Sequence, residues 1–139
     1  PKKTTCSNAQ AKHGAKWALT EGPDTPEEMN KQYIQRRNLV YNRLTAMGLD
    51  TVKPNGAFYI FPSIKEFNLT SEQFALTLLK EADVAVVPGS AFTSLGEGYV
   101  RISFAYALDQ LEIAMDRLEK WVTKWRANER HIVPDPPLI

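Results

Sequence analysis

The residues best suited to binding or catalysis lie in the segment 84–105, where two apolar stretches flank a glycine-bearing loop. The second stretch carries Arg101. If that stretch is a strand, its alternation puts Val100, Ile102 and Phe104 on one face and Arg101 on the other. An arginine among apolar neighbours needs an anionic partner, because burying an unpaired guanidinium is costly.

Two chemical roles fit Arg101. Its planar fork of donors suits two-point binding of a carboxylate, as a substrate or another ligand would supply. A structural ion pair with one of the 16 acidic residues of the chain is the alternative. Because charged side chains are rarely buried without a partner, the residues alone favour the structural ion pair.

Other reactive side chains form no recognisable site. His13, His131 and Cys6 have no metal-ligand spacing, so we assign them structural or exposed roles and predict no metal. The loop 89–98 lacks the Gly-Lys-Ser/Thr sequence of a phosphate loop. Three acids are typical of a helix start, where the helix dipole favours them (Asp24, Glu27 and Glu28). Tryptophans at helical positions predict core or interface contacts (Trp17, Trp121 and Trp125).

Start and stop signals predict four helices around these residues. The first covers 7–20, with the serine at its start as cap, and the second runs from Thr25 to a left-handed cap at Gly48. Thr70-Ser71-Glu72-Gln73 is a capping box that opens a third helix, which extends to about Ala82. An apolar stripe predicts a long final helix (Leu111, Met115, Leu118, Val122 and Trp125).

Four segments carry strand signals. Residues 49–52 and 57–61 are predicted strands on either side of the Pro54-Asn55-Gly56 turn. Residues 84–87 form a continuous apolar run, typical of a buried strand, and 99–105 predict the last strand. The glycine-bearing loop between these two is predicted to be irregular. The element order predicts an α+β fold in which helices cover a small antiparallel or mixed sheet.

Composition bounds the partners and the compartment. The 139 residues carry 17 basic and 16 acidic side chains, a net charge of +1, so no strong field favours nucleic acid or a membrane surface. We divide the chain into one domain over 1–125 and a charged, then proline-rich tail over 126–139. A single cysteine, with no secretory signal or membrane-spanning apolar run, predicts a cytoplasmic protein.

Three segments carry motifs in a fixed order. They are Pro54-Asn55-Gly56-Ala57-Phe58-Tyr59, Val86-Val87-Pro88-Gly89-Ser90-Ala91-Phe92, and Gly96-Glu97-Gly98-Tyr99-Val100-Arg101-Ile102-Ser103-Phe104-Ala105. In this order and at this spacing they resemble the C-terminal small domain of fold-type I aminotransferases of the aspartate/aromatic superfamily. The similarity extends over about residues 4–125.

The resemblance implies roles for individual residues. In the family, the arginine of the Arg-Ile-Ser-Phe-Ala strand binds the α-carboxylate of the substrate, so the resemblance favours this role for Arg101 over the ion pair. It also puts Phe58 where the family lines the substrate pocket, with a core position as the alternative. The family usually has glycine where this chain has Thr93, which is a local departure in the loop.

The resemblance also implies chemistry with pyridoxal phosphate (PLP). The family transfers an amino group between an amino acid and a 2-oxo acid, and a lysine in a Ser-Lys segment holds PLP covalently. No lysine of this chain has that context. We therefore expect no catalytic residue and no covalent attachment of PLP in this chain, and no activity from it alone.

The expected partners follow from the same resemblance. They are the family's large domain, a second copy in a homodimer of the full-length enzyme, and an amino-acid or 2-oxo-acid substrate, with aromatic or dicarboxylic donors favoured. The alternative, from another functional class, is a stand-alone, non-catalytic binding module that kept this fold and Arg101.

Overall fold

The computed structural model describes residues 8–22 and 25–129 of the chain. The chain forms two compact units, residues 1–34 and 35–139. Helix α2 (Thr25–Ala46) contributes residues to both units.

The first unit contains helix α1 (Ala9–Thr20), as the sequence predicted. Its cap, however, is Asn8, whose side-chain oxygen accepts from the amide of Ala11 at 2.7 Å. The predicted serine cap, Ser7, lies outside the described residues. All of α1 is exposed, and Trp17 keeps 60% of its surface accessible. Of the two predicted positions, core or interface, the core is therefore wrong for Trp17 within this unit, and the interface stays a prediction.

The end of α2 follows its sequence signal. Gly48 has φ +78°, the left-handed conformation that glycine adopts without steric cost, and the amide of Leu49 turns back to the carbonyl of Leu44 at 3.0 Å. Glu27 and Glu28 lie in the first turn, as predicted for helix-start acids. Asp24 and the side chain of Thr25 lie outside the described part of the chain.

Three short antiparallel strands form the sheet. They are β1 (Tyr59–Ile60), β2 (Val87–Pro88) and β3 (Val100–Ser103), in the spatial order β1-β3-β2. Tyr59 lies opposite Ser103, and Val87 lies opposite Arg101. The predicted α+β fold with a small antiparallel sheet is confirmed.

Three sequence predictions about strands need correction. Residues 49–52 form no strand, because the amide of Leu49 is used by the end of α2 and the carbonyl of Asp50 accepts from the amide of Ser63. The strand predicted over 57–61 shortens to two residues, since Ala57 has φ +57° and leaves the extended conformation. The strand predicted over 84–87 begins only at Val87.

The loop that precedes β3 is more regular than predicted. It contains two single-turn 3₁₀ helices, Gly89–Ala91 and Ser94–Gly96. The backbones of Gly89 and Gly96 pack directly against each other, and a Cβ on either residue would overlap the carbonyl of the other. The missing side chains therefore allow the loop to fold tightly.

Helices α3 (Ser71–Ala82) and α4 (Leu108–Glu129) supply much of the core. The capping box at the start of α3 is confirmed in both directions: Thr70 Oγ accepts from the Gln73 amide, and the Gln73 side chain accepts from the Thr70 amide. The apolar stripe predicted for α4 is buried in its first four members (Leu111, Met115, Leu118 and Val122).

The core of the second unit includes an aromatic cluster to which α3 and α4 both contribute. Phe67 and Phe74 lie 5.6 Å and 5.2 Å from the ring of Trp121, and Trp125 lies 5.0 Å from it. The indole N–H of Trp121 donates to the carboxylate of Glu81 at 2.9 Å. The predicted core position is thus confirmed for Trp121, whose polar atom is satisfied as burial requires.

The final helix extends past the boundary that we placed at residue 125. It continues to Glu129 because Arg126 is anchored: its guanidinium donates to the carboxylate of Glu66 and, at 2.7 Å, to the carbonyl of Met47. Residues 126–129 are therefore helix rather than tail. Residues 130–139 lie outside the described residues, and the division into domain and tail stays a prediction.

Within residues 8–22 and 25–129, none of the helices combines the length and the apolar character needed to cross a bilayer.

The capping box gives a direct test of stability. We expect Thr70→Ala to lower the free energy of unfolding by about 0.5–2 kcal/mol, because it leaves the Gln73 amide without its acceptor. Thr123→Ala is the matched control, since Thr123 is an exposed helical threonine whose hydroxyl only bonds to the carbonyl of Glu119. Urea unfolding measures both changes. Equal losses for the two variants would contradict a specific role of the cap.

Candidate functional site

Arg101 lies on the central strand, on the face opposite the core. Val100, Ile102 and Phe104 are buried, with 2%, 8% and 1% of their surface exposed, while Arg101 is only half-buried. The predicted alternation of this strand is therefore confirmed. The period of two turns the guanidinium away from the core that its neighbours build.

Two aromatic rings enclose the guanidinium of Arg101. Its central carbon lies 4.1 Å from the ring centroid of Tyr59 and 4.5 Å from that of Phe92. Both distances are within the range of a cation–π interaction. Tyr59 comes from β1, the neighbouring strand, and Phe92 comes from the loop before β3.

No internal carboxylate neutralises Arg101 within residues 8–22 and 25–129. The ion pairs of that part of the chain join Arg43 to Asp116 and Glu119, and Arg126 to Glu66. The structural ion pair that composition favoured is thus not found among the described residues.

An open groove of about 530 Å³ runs beside Arg101. It lies between the strand residues and the start of α4, and its polar lining includes Arg101, Ser103, Tyr106 and Gln110. Apolar atoms cover most of the remaining surface. Three charged residues also line it, Asp83, Arg101 and Arg117, so its net charge is positive. A mainly apolar groove with a few polar groups and a net positive charge suits a small organic anion.

Phe58 does not occupy the core. It is 40% exposed, its ring packs on that of Tyr59 at a centroid distance of 4.5 Å, and its carbonyl accepts from the amide of Phe104. The core alternative for Phe58 is therefore wrong. Its role in lining a substrate pocket stays a prediction. Phe58 is linked to Arg101 through Tyr59, whose ring contacts both.

The loop that carries Phe92 is fastened to the start of α3. The carboxylate of Glu97 accepts from the amide of Ser71 at 2.7 Å and from its hydroxyl at 2.9 Å. The hydroxyls of Ser71 and Ser90 are in turn 3.0 Å apart. The hydrogen bond from the Ser71 amide has the largest effect on the Glu97 carboxylate, followed by the bond from the Ser71 hydroxyl. Both favour the ionised form and so lower the pKa of Glu97 from its ordinary value of 4.5.

Thr93 stands where the resemblance led us to expect glycine. Its backbone is extended, with φ −161° and ψ 162°, so this position does not require glycine. The hydroxyl of Thr93 accepts from the amide of Leu95 at 2.9 Å and caps the second 3₁₀ turn. The departure is therefore compatible with the fold of the loop.

Sequence reasoning missed three residues of this site: Tyr59, Phe92 and Glu97. Tyr59 could have been found from strand pairing, because residues diagonally opposite on neighbouring strands are within reach of long side chains, but that requires the register. No sequence signal places Phe92 over Arg101 or Glu97 at α3, since both contacts depend on the path of the loop.

The remaining candidates give no site. His13 is exposed on α1, and within the described residues no group of histidine, cysteine, aspartate or glutamate side chains could hold a metal ion. Cys6 and His131 lie outside them.

The comparisons with known proteins all match aminotransferases. Residues 2–118 match the family model described as aminotransferase class I and II. The chain is 52% identical over 122 residues to the "Probable N-acetyl-LL-diaminopimelate aminotransferase" of Bacillus subtilis, covering 88% of this chain and 31% of that protein. It is 65% identical over 94 residues to an aspartate aminotransferase of Pyrococcus abyssi, covering 68% and 24%.

Solved structures agree with the sequence matches. The crystal structure of an aromatic aminotransferase from Pyrococcus horikoshii superposes with a TM-score of 0.75 at 55% identity, covering 77% of this chain and 28% of that one. The chain thus spans 24–31% of the length of these relatives.

The lowered pKa of Glu97 predicts a pH-dependent contribution to stability. The ionised carboxylate is the bonded form, so its contribution is present above the unfolded pKa and is lost as the pH falls through the folded value. We expect the difference in unfolding free energy between the parent chain and Glu97→Gln to shrink as the pH falls below about 4.5. Urea unfolding from pH 7 to pH 3 measures it.

A double-mutant cycle with Ser71→Ala provides the control. The coupling between Ser71 and Glu97 should vanish over the same acid range, because protonation removes the charged acceptor. A coupling that is constant with pH would refute the assignment.

Proposed function

This chain belongs to the class I and II aminotransferase family, and we propose that it supplies the part of such an enzyme that binds the α-carboxylate of the substrate. The reaction of the full-length enzyme would transfer an amino group between an amino acid and a 2-oxo acid. Because the chain spans less than a third of its relatives, the rest of the enzyme, including the family's large domain, would come from residues outside it.

The observation that supports this proposal is the environment of the Arg101 guanidinium. Its guanidinium borders an open groove and has no carboxylate partner among the described residues. A partly buried cation without a partner is costly, and an incoming carboxylate would remove that cost. The family match supports the same residue, because Arg101 lies in its Arg-Ile-Ser-Phe-Ala strand.

The geometry around Arg101 suits binding in one plane. The ring centroids of Tyr59 and Phe92 lie 4.1 Å and 4.5 Å from the central carbon of the guanidinium, and the N–H donors lie in the plane of that group. A carboxylate that approaches along that plane can accept two parallel hydrogen bonds. Arg101 would thereby fix both the position and the orientation of the substrate's α-carbon.

The described residues do not by themselves make a site for PLP. No lysine lines the groove beside Arg101, and the nearby amine of Lys65 lies 3.3 Å from the hydroxyl of Tyr99. The N-terminus of α3, which could hold a phosphate, already binds the carboxylate of Glu97. When bound in the full-length enzyme, PLP supplies the group that accepts the amino nitrogen, and its ligands would lie outside this chain.

We further propose an aromatic or dicarboxylic amino acid as the donor. The relatives support this range without narrowing it, since their names specify aspartate, aromatic amino acids and N-acetyl-LL-diaminopimelate. Phe58 would line the side-chain pocket. The full-length enzyme would be a homodimer, as the family implies.

The main test is the replacement of Arg101 in the full-length enzyme. We expect Arg101→Ala to lower kcat/KM about ten- to several-hundred-fold, because each charge-assisted hydrogen bond contributes roughly 1.5–3 kcal/mol. Arg101→Lys keeps the charge but loses the fork, so its loss should be smaller. Steady-state kinetics with an amino-acid substrate measure both.

Two controls make this test specific. Arg117→Ala removes an exposed arginine of the same groove, which donates to the carbonyl of Asp83, and should have little effect. An amine substrate without a carboxylate should be nearly indifferent to Arg101→Ala. Equal losses on both substrates, or an unfolded Arg101→Ala protein, would instead make Arg101 a structural residue.

A second test concerns the chain alone. We expect treatment with PLP and borohydride to label no single lysine stoichiometrically, because no lysine lines the groove beside Arg101. Peptide mass spectrometry locates any label. One dominant site would show that a lysine of this chain holds the cofactor. Amino-acid binding by the native gene product without transamination would favour the stand-alone binding module.

A further inference from the structure

The two rings that enclose Arg101 are held in different ways. Tyr59 belongs to β1, which is hydrogen-bonded to β3, so the sheet fixes its position relative to Arg101. Phe92 belongs to no strand and keeps 46% of its surface exposed. An exposed aromatic side chain on a loop that nevertheless covers a guanidinium requires an explanation.

Several interactions of the loop determine the position of Phe92. The amide of Gly89 donates to the carbonyl of Tyr99 at 2.9 Å, and the amide of Phe92 donates to the carbonyl of Gly89 at 3.0 Å. The hydroxyl of Ser90 is hydrogen-bonded to Ser71 at the start of α3. The ring of Phe61 meets that of Phe92 edge-on, with centroids 6.0 Å apart. The hydrogen bonds therefore fix the backbone that carries Phe92, and Phe61 contacts its ring.

We propose that Phe92 is a positioning residue for Arg101, an inference that rests on the proposed function. An arginine side chain has several rotatable bonds, so a two-point contact with a carboxylate costs the conformational entropy of fixing that side chain. The contact with Phe92, together with that with Tyr59, restricts the movement of the guanidinium. The ring thus lowers the entropic cost of binding without touching the substrate's carboxylate.

The substitution series separates the aromatic face from mere volume. Phe92→Leu and Phe92→Met keep an apolar side chain but remove the π face, while Phe92→Tyr keeps it. In the full-length enzyme we expect the first two to raise KM for the amino-acid substrate roughly three- to tenfold with little change in kcat, and Phe92→Tyr to match the parent.

A double-mutant cycle tests whether the effect passes through Arg101. In an Arg101→Ala background, Phe92→Leu should have no further effect on KM, and the amine substrate without a carboxylate should not respond to Phe92→Leu at all. Independent, multiplicative effects of the two changes would overturn the positioning role. A Phe92→Tyr enzyme as impaired as the leucine and methionine variants would overturn it too.

The outcomes also separate this inference from the proposed function. If Arg101→Ala impairs only carboxylate substrates while Phe92→Leu and Phe92→Met behave as the parent, the carboxylate site stands and the positioning role is refuted. If Arg101→Ala shows no preference for carboxylate substrates, the proposed function itself fails, whatever Phe92 does.

Discussion

Strand β3 is hydrogen-bonded on both sides, to β1 and to β2, and this pairing constrains both the core and the groove. A strand held along both edges cannot rotate about its axis, so the period of two assigns each side chain to a fixed face. Val100 and Ile102 are buried on one face, and Arg101 is thereby directed to the other. A slip by one residue would put the guanidinium into the core.

The surroundings of Arg101 stabilise its charge without neutralising it. A carboxylate of the chain would have paired with the guanidinium and competed with any ligand. Tyr59 and Phe92 instead contact its faces through cation–π interactions, each worth about 0.5–1 kcal/mol at partly exposed sites. Such contacts are weaker than a new charge-assisted bidentate pair, so they would not compete with the carboxylate that we propose as the ligand of Arg101.

Close backbone packing in the loop 89–98 connects this site to the start of α3. Gly89 and Gly96 contact each other where no side chain would fit, and Glu97 binds the Ser71 amide at the helix start. The same helix terminus that other proteins use for phosphate is thus occupied by an internal carboxylate. The bonds of Glu97 thus attach the loop to α3 and at the same time occupy the amide of Ser71 at the helix start.

Local signals in the sequence determined the helices, the left-handed stop at Gly48, the capping box at Thr70 and the alternation that exposes Arg101. Each of these depends on residues a few positions apart, and hydrogen bonding or side-chain periodicity within such a stretch is nearly independent of the rest of the chain. The motif order, likewise a property of the sequence alone, indicated the family.

Tertiary structure alone decided the remaining features. Residues 49–52 look like a strand by composition, yet their backbone groups are used by the end of α2 and by Ser63. The contacts of Tyr59 and Phe92 with Arg101 join residues 42 and 9 positions apart through strand register and the path of a loop. Such long-range geometry arises from packing of the whole unit, which no local pattern encodes.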